Sequence, residues 1–111
     1  MSEDGLIHLQ RLDMRLGRII AAENFPEARE PAFKLSIDFG ALGIRQPSAQ
    51  LTEHYTQESL VGRLVIAVVN LPVRRVAGFK SEVLVLGVPD ASGHVVLLEP
   101  ERDAPLGVRV F

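Results

Sequence analysis

The chain has 111 residues, 47% of them hydrophobic, with 12 Lys and Arg against 14 Asp and Glu for a formal net charge of −2. That length sets a single domain spanning residues 1–111, and no apolar run approaches the ~18 residues that a membrane span requires. The absence of cysteine excludes a disulfide framework, a thiolate nucleophile and a cysteine-based metal site. The opening SEDGLIHLQRLDM lacks a signal-peptide pattern, so a soluble, cytoplasmic chain is expected.

Ser2 to Leu12 reads as a short opening helix, with Leu6, Leu9 and Leu12 at spacings of three and Ser2, Glu3 and Asp4 suited to its start. Met14 to Ala22 is an apolar strand in which Gly17 marks a bulge or bend. Glu23 to Pro31, with two prolines and four charges, is a loop. Phe33, Leu35, Ile37 and Phe39 then alternate with Lys34, Ser36 and Asp38, the period of a half-buried strand. After a turn at Gly40 to Gly43, Leu42 to Leu51 forms a strand interrupted by Pro47, which suits an edge because proline has no N–H to donate.

Thr56 caps one helical turn over Gln57 to Val61, stopped by Gly62. Leu64 to Leu71 and Glu82 to Val88 read as core strands. Between them lies a short connection carrying Arg74, Arg75 and Lys80, with Pro72 and Gly78. Charged residues held between rigid strands are well placed for binding, because the scaffold fixes them at little entropic cost. Pro89 to Gly93 is a turn, and His94 to Leu98 a last strand in hairpin with the one before. The tail from Glu99 ends in Leu106, Val108, Val110 and Phe111, apolar residues that need a surface to cover them. Many short strands and few helices predict an all-β sandwich or barrel.

Catalysis finds little support. His8, His54 and His94 are distant in sequence and show no metal-ligand spacing, so each reads as a surface histidine and no metal site is expected. Neither a nucleophile elbow nor a phosphate-binding glycine loop is present. Glu99, Glu101 and Asp103 fall in a proline-containing tail rather than the sheltered pocket that acid/base work needs. No catalytic residue and no cofactor are expected.

The run NLPVRRVAGFKSEVLVLG, Asn70 to Gly87, resembles the signature of the tRNA-binding domain of CsaA-type proteins. That domain is also found at the C-terminus of methionyl-tRNA synthetases and in cytokine-like synthetase cofactors. LGRIIAAENFPEAREPAFKLSIDFG, SAQLTEHYTQESLVGR and VVLLEPERDAPLG agree with the same family, so the resemblance covers nearly the whole chain. Leu71 and Val73 stand where such chains usually read Phe and Pro, and Pro47 where Ser is common. The resemblance implies a five-stranded OB-fold barrel with a core at about 14–107, a short added N-terminal helix and terminal extensions that build a homodimer. Leu6, Leu9, Leu106, Val108, Val110 and Phe111 are the residues available for that interface.

It also implies tRNA as the partner, with unfolded or export-bound polypeptides as the alternative and no membrane. Structured RNA is held through phosphates, 2′-hydroxyls and unstacked bases, which calls for cations, amides and hydroxyls beside an apolar face. The candidates are Lys34, Arg45, Ser48, Gln50, Asn70, Arg74, Arg75, Lys80, Ser81 and Glu82. Asn70 and Lys80 to Glu82 match the family motif, whereas Arg45 and Gln50 come from neighbouring strands. Phe79 is a base platform or a core residue, Asn70 a ligand or a turn residue. Glu82 is a partner for a base amine or for Arg75.

Overall fold

A computed structural model describes residues 3–111. The expected Ser2 helix cap lies outside the described residues. The elements are α1 (Glu3–Arg11), β1 (Met14–Asn24), β2 (Phe33–Asp38), a 3₁₀ turn at Gly40–Leu42, β3 (Ile44–Arg45), β4 (Ser48–Ala49), α2 (Gln57–Leu60), β5 (Leu64–Val68), β6 (Arg74–Val76), β7 (Phe79–Ser81), β8 (Leu84–Val85), β9 (Gly87–Pro89) and β10 (Val95–Leu97). Five strands run in the order β3-β2-β1-β5-β8, with β4 also on β2, and β6–β7 and β9–β10 form separate hairpins. The chain is mostly β, a curled OB-type sheet with one short helix in front. Among the described residues no helix is long and apolar enough to cross a membrane.

The alternation of β2 works as its sequence dictates: Phe33, Leu35 and Ile37 are buried while Lys34, Ser36 and Asp38 remain partly exposed. With Ile19, Phe39, Leu51, Leu60, Val65, Ala67, Val83 and Leu97 they form the core. Thr56 caps α2 in a reciprocal box with Ser59, each side chain engaging the other's backbone N–H. That turn delivers the fully buried Leu60 to the core.

Three sequence expectations shift. The bulge in β1 lies between Ile19 and Ala21 rather than at Gly17. Gly17 answers a packing demand: a Cβ there would stand 2.5 Å from Ile37 Cγ2 and 2.7 Å from Phe39 Cε1, and both of those residues are fully buried. The strand expected over Leu42 to Leu51 is two short pieces around Pro47, which is itself buried and whose carbonyl accepts the Leu35 N–H at 2.9 Å. The strand expected over Glu82 to Val88 breaks into β8 and β9. Gly87 lies so close to β10 that a Cβ would be 2.6 Å from Val95 Cγ1. Leu86 links the halves, its N–H donating to Ile66 O and its carbonyl accepting from Leu98 N.

The tail does not hang free. Val108 O accepts from Leu16 N, Leu16 O accepts the Gly107 N–H, and Val110 N–H donates to Met14 O, so the last residues run along β1. Arg109 bonds the Gln10 carbonyl at the end of α1, bringing the two termini together.

Candidate nucleic-acid interface

The basic connection is a regular hairpin rather than an irregular loop. Its register pairs Arg74 with Ser81, Arg75 with Lys80 and Val76 with Phe79. The two-residue turn, Ala77 and Gly78, has φ of 47° and 82°, the mirror-image geometry that matches the strand twist. Directly paired residues share a face. Arg74, Val76 and Ser81 line a groove of about 600 Å³ with Ser48, Gln50, Leu71, Glu82, Val83 and Arg29. Arg75 and Lys80 occupy the opposite face and are exposed. Like charges directly across a ladder repel, so this pair is a local concentration of positive potential.

Ser81 and Glu82 dock the hairpin onto the sheet edge. Ser81, a buried polar residue of the groove lining, accepts the Ser48 N–H through Oγ at 3.0 Å. Glu82 Oε1 accepts the Gln46 N–H at 3.0 Å, and the Glu82 N–H donates to Gln46 O at 3.1 Å. Glu82 is therefore engaged by Gln46, and of the two partners the sequence offered for it, a base amine or Arg75, the Arg75 pair does not form among the described residues. Because Gln46 follows β3 and Glu82 precedes β8, these bonds join the two edges of the five-stranded path.

Asn70 is likewise occupied. Its Oδ1 accepts the Asp13 N–H at 2.9 Å and its Nδ2 donates to Arg11 O at 2.7 Å, so it closes the end of α1 and the entry to β1. Asp13 is held below the usual carboxylate range by the hydrogen bond from Arg15. Phe79 is half-buried, edge-on to Phe25 with centroids 5.6 Å apart. The Lys34 ammonium lies over both rings, 4.7 Å from the Phe25 centroid and 5.2 Å from that of Phe79. Arg45 pairs with Ile37 at the edge of β2 and lies outside the groove lining.

Of the site residues expected from sequence, the groove gathers Ser48, Gln50, Arg74, Ser81 and Glu82, while Lys34, Arg45, Asn70, Arg75 and Lys80 lie beyond its lining. Arg29 and Glu30 also line it, although Glu23 to Pro31 reads only as a loop. Their signal was a charged, proline-bounded segment entering a core strand.

The histidines are not all separate. His54 Nε2 and Asp90 Oδ2 are 2.6 Å apart, and the His54 and His94 rings meet edge to face with centroids 5.8 Å apart. Asp90 is pulled down to about 2 by its hydrogen bond with His54, helped by the backbone N–H groups of His94 and Ser92. This corrects the expectation of isolated surface histidines, which the 40-residue separation concealed.

The arrangement is that of a small OB-type fold presenting a cationic hairpin beside a groove of mixed character. Residues 14–109 match the family described as "Putative tRNA binding domain", and the chain belongs to that family. It is similar to a solved structure of the chaperone CsaA from Bacillus anthracis, with 52% identity, a TM-score of 0.90, and 100% of this chain and 99% of that one covered. A CsaA chaperone from Picrophilus torridus matches at 40% identity and TM-score 0.89, covering 96% and 97%. Methionine–tRNA ligase of Methanocaldococcus jannaschii is 32% identical over 110 residues, which are 99% of this chain and 17% of the ligase. That of Sorangium cellulosum is 39% identical over 100 residues, 90% of this chain and 14% of the ligase. The chain thus spans about a sixth of the length of these curated relatives.

The docking bonds separate structural from exposed site residues. Glu82→Ala, which leaves the Gln46 N–H without its acceptor, is expected to lower unfolding free energy by about 1–3 kcal/mol. Arg75→Ala, on a solvated face, is expected to stay within about 0.5 kcal/mol of the parent. Urea denaturation of both variants checks the contrast.

Proposed function

We propose that this chain is a non-catalytic tRNA-binding protein of the CsaA type that holds structured RNA on the β6–β7 hairpin and the adjoining groove. The observation that carries this reading is the distribution of the cations. Arg15 and Arg109 pair with Asp13, Arg63 with Glu99 and Arg102 with Glu101. Arg11, Arg18, Arg29, Lys34, Arg45, Arg74, Arg75 and Lys80 have no such carboxylate among the described residues, and four of these eight, Arg29, Arg74, Arg75 and Lys80, gather on the hairpin or the groove lining. Phosphate oxygens would relieve the Arg75–Lys80 repulsion, so the energy stored across that ladder returns on binding. Gln50 and the Ser48 hydroxyl offer further donors to sugar or base edges. Lys34 and Phe79 supply a cation and a ring face beside them. A cytoplasmic location accords with such a partner.

The net charge of −2 points to modest affinity sustained by a local patch. Binding of bulk tRNA is expected to weaken as salt rises. Arg74→Ala/Arg75→Ala is expected to lower the slope of log K against log salt by about 1–2 and affinity at low salt by about tenfold. Filter binding across a salt series measures both, and a lack of saturable binding at low salt would remove the reading.

Within this proposal the termini build a homodimer around the 14–107 core. Leu6, Val108 and Phe111 are exposed apolar residues on two segments that Arg109 joins, and Leu9, Leu106 and Val110 remain half-buried beside them. Light scattering is expected to give twice the 12.2 kDa chain mass, falling to one chain in Val108→Asp.

A second reading, capture of unfolded or export-bound polypeptides, is favoured by the exposed Leu71, Val73 and Leu84 near or along the groove and by the chaperone description of the two CsaA structures. An apolar channel flanked by charge suits an extended peptide. In that case a denatured polypeptide competes with tRNA, and Leu71→Ser/Val73→Ser weakens the polypeptide more than the RNA. Fluorescence competition reads both, and RNA binding unaffected by saturating polypeptide would separate the two surfaces.

A further inference from the structure

We propose that His54, Asp90 and His94, with Glu53, form a binding site for one divalent transition-metal ion of the zinc class, remote in role from the cationic hairpin. The ligand atoms of His54, Asp90 and His94 all lie within 4.8 Å of one another. Around a tetrahedral zinc, with bonds of about 2.0–2.2 Å, donor atoms stand about 3.3 Å apart. Side-chain rotations that bring these three atoms from within 4.8 Å to about 3.3 Å of one another would assemble the set. His54 and Asp90 need to open slightly from their 2.6 Å contact. Glu53 Oε2 lies outside that three-residue group but only 3.9 Å from His94 Nε2, so a swing of its exposed side chain would supply a fourth donor.

Much of the organisation is already in place. Asp90 Oδ1 accepts the backbone N–H groups of Ser92 at 2.8 Å and His94 at 3.0 Å, which fixes the carboxylate and leaves Oδ2 directed at His54. The same turn is closed by Asp90 N–H to His94 O at 2.9 Å and Gly93 N–H to Asp90 O at 3.0 Å. On the other side, the Leu97 N–H donates to the Tyr55 hydroxyl at 3.0 Å, holding the segment that bears Glu53 and His54 against β10. Two ligand-bearing segments are thus pinned in register by bonds that do not use the ligand atoms. Such support around ligands is what orients a metal site.

The donor chemistry selects the ion. Two imidazoles with two carboxylates are borderline donors suited to zinc, whereas magnesium and calcium take oxygen shells of higher number. Neutral imidazoles and two carboxylates also balance a dication. With Glu53 swung in as the fourth ligand the tetrahedral shell is filled by side chains, which marks a structural role. The ion would clip residues 53–54 to the turn at 90–94, between Leu51 and Val95 of the groove lining, and so stiffen the end of the groove.

The test is zinc titration of the chelator-treated full chain, by calorimetry and by the histidine ring protons in NMR. One zinc per chain is expected, with the ring signals of His54 and His94 shifting and those of His8 unchanged. His94→Ala and His54→Ala are each expected to weaken binding at least about tenfold, His8→Ala to leave it unaltered, and magnesium to compete poorly. At a hundredfold excess over Kd the melting temperature is expected to rise by about 5 °C or more. Absence of stoichiometric binding at millimolar zinc, or binding that shifts neither the His54 nor the His94 ring in the parent chain, overturns the proposal.

Discussion

Closure of the sheet across Gln46 and Glu82 is the constraint on which the rest of the structure depends. Pro47 cannot donate to a ladder, so the strand after the 3₁₀ turn is cut into two short pieces and the N–H groups on either side of it need acceptors. Glu82 and Ser81 supply them, one to Gln46 and the other to Ser48. An exposed, partly unpaired edge is thereby covered by the protein's own hairpin. The same bonds set where the hairpin stands, so the fold's need for a closed edge and the placement of its cations are met by neighbouring residues.

This coupling explains how a chain of negative total charge can present a positive surface. Acids elsewhere neutralise the arginines near them, at Asp13, Glu99 and Glu101. The hairpin, held by side chains that spend their polar atoms on the backbone, has no carboxylate to spare for Arg75 or Lys80. The field that a polyanion meets is local, and it is set by which cations are left unpaired rather than by their number. The groove beneath is less one-sided, since Arg29 and Arg74 share it with Glu30 and Glu82 and Glu82 is already committed. Its apolar walls leave room for a base or an aliphatic side chain alike.

Much of the scaffold was legible in the sequence because local rules governed it. The alternation from Phe33 to Phe39 specified β2 and its buried face, and Thr56 marked the α2 cap. Legibility failed where a distant neighbour decided the outcome. Gly17 looks like a bend, yet its lack of a side chain serves Ile37 and Phe39 across the core. Gly87 divides a run that reads as one strand because β10 passes against it. Ala77 at positive φ carries no turn signal of the kind that Asn would, so the hairpin resembles a loop. Asn70, singled out by motif, turned out to join α1 to β1, and the meeting of His54 with His94 arises only when the β9–β10 turn folds over the segment before α2.

The central claim is that the cations left unpaired by the closed edge are the ones a tRNA meets. It is tested most directly by following the backbone amide signals of the isotope-labelled chain as tRNA is added. The account requires the largest shifts at Arg74 to Lys80, with smaller ones along Ser48 to Leu51 and at Arg29, and little change over α1. Shifts centred on α1 and the tail, with the hairpin unmoved, would contradict it.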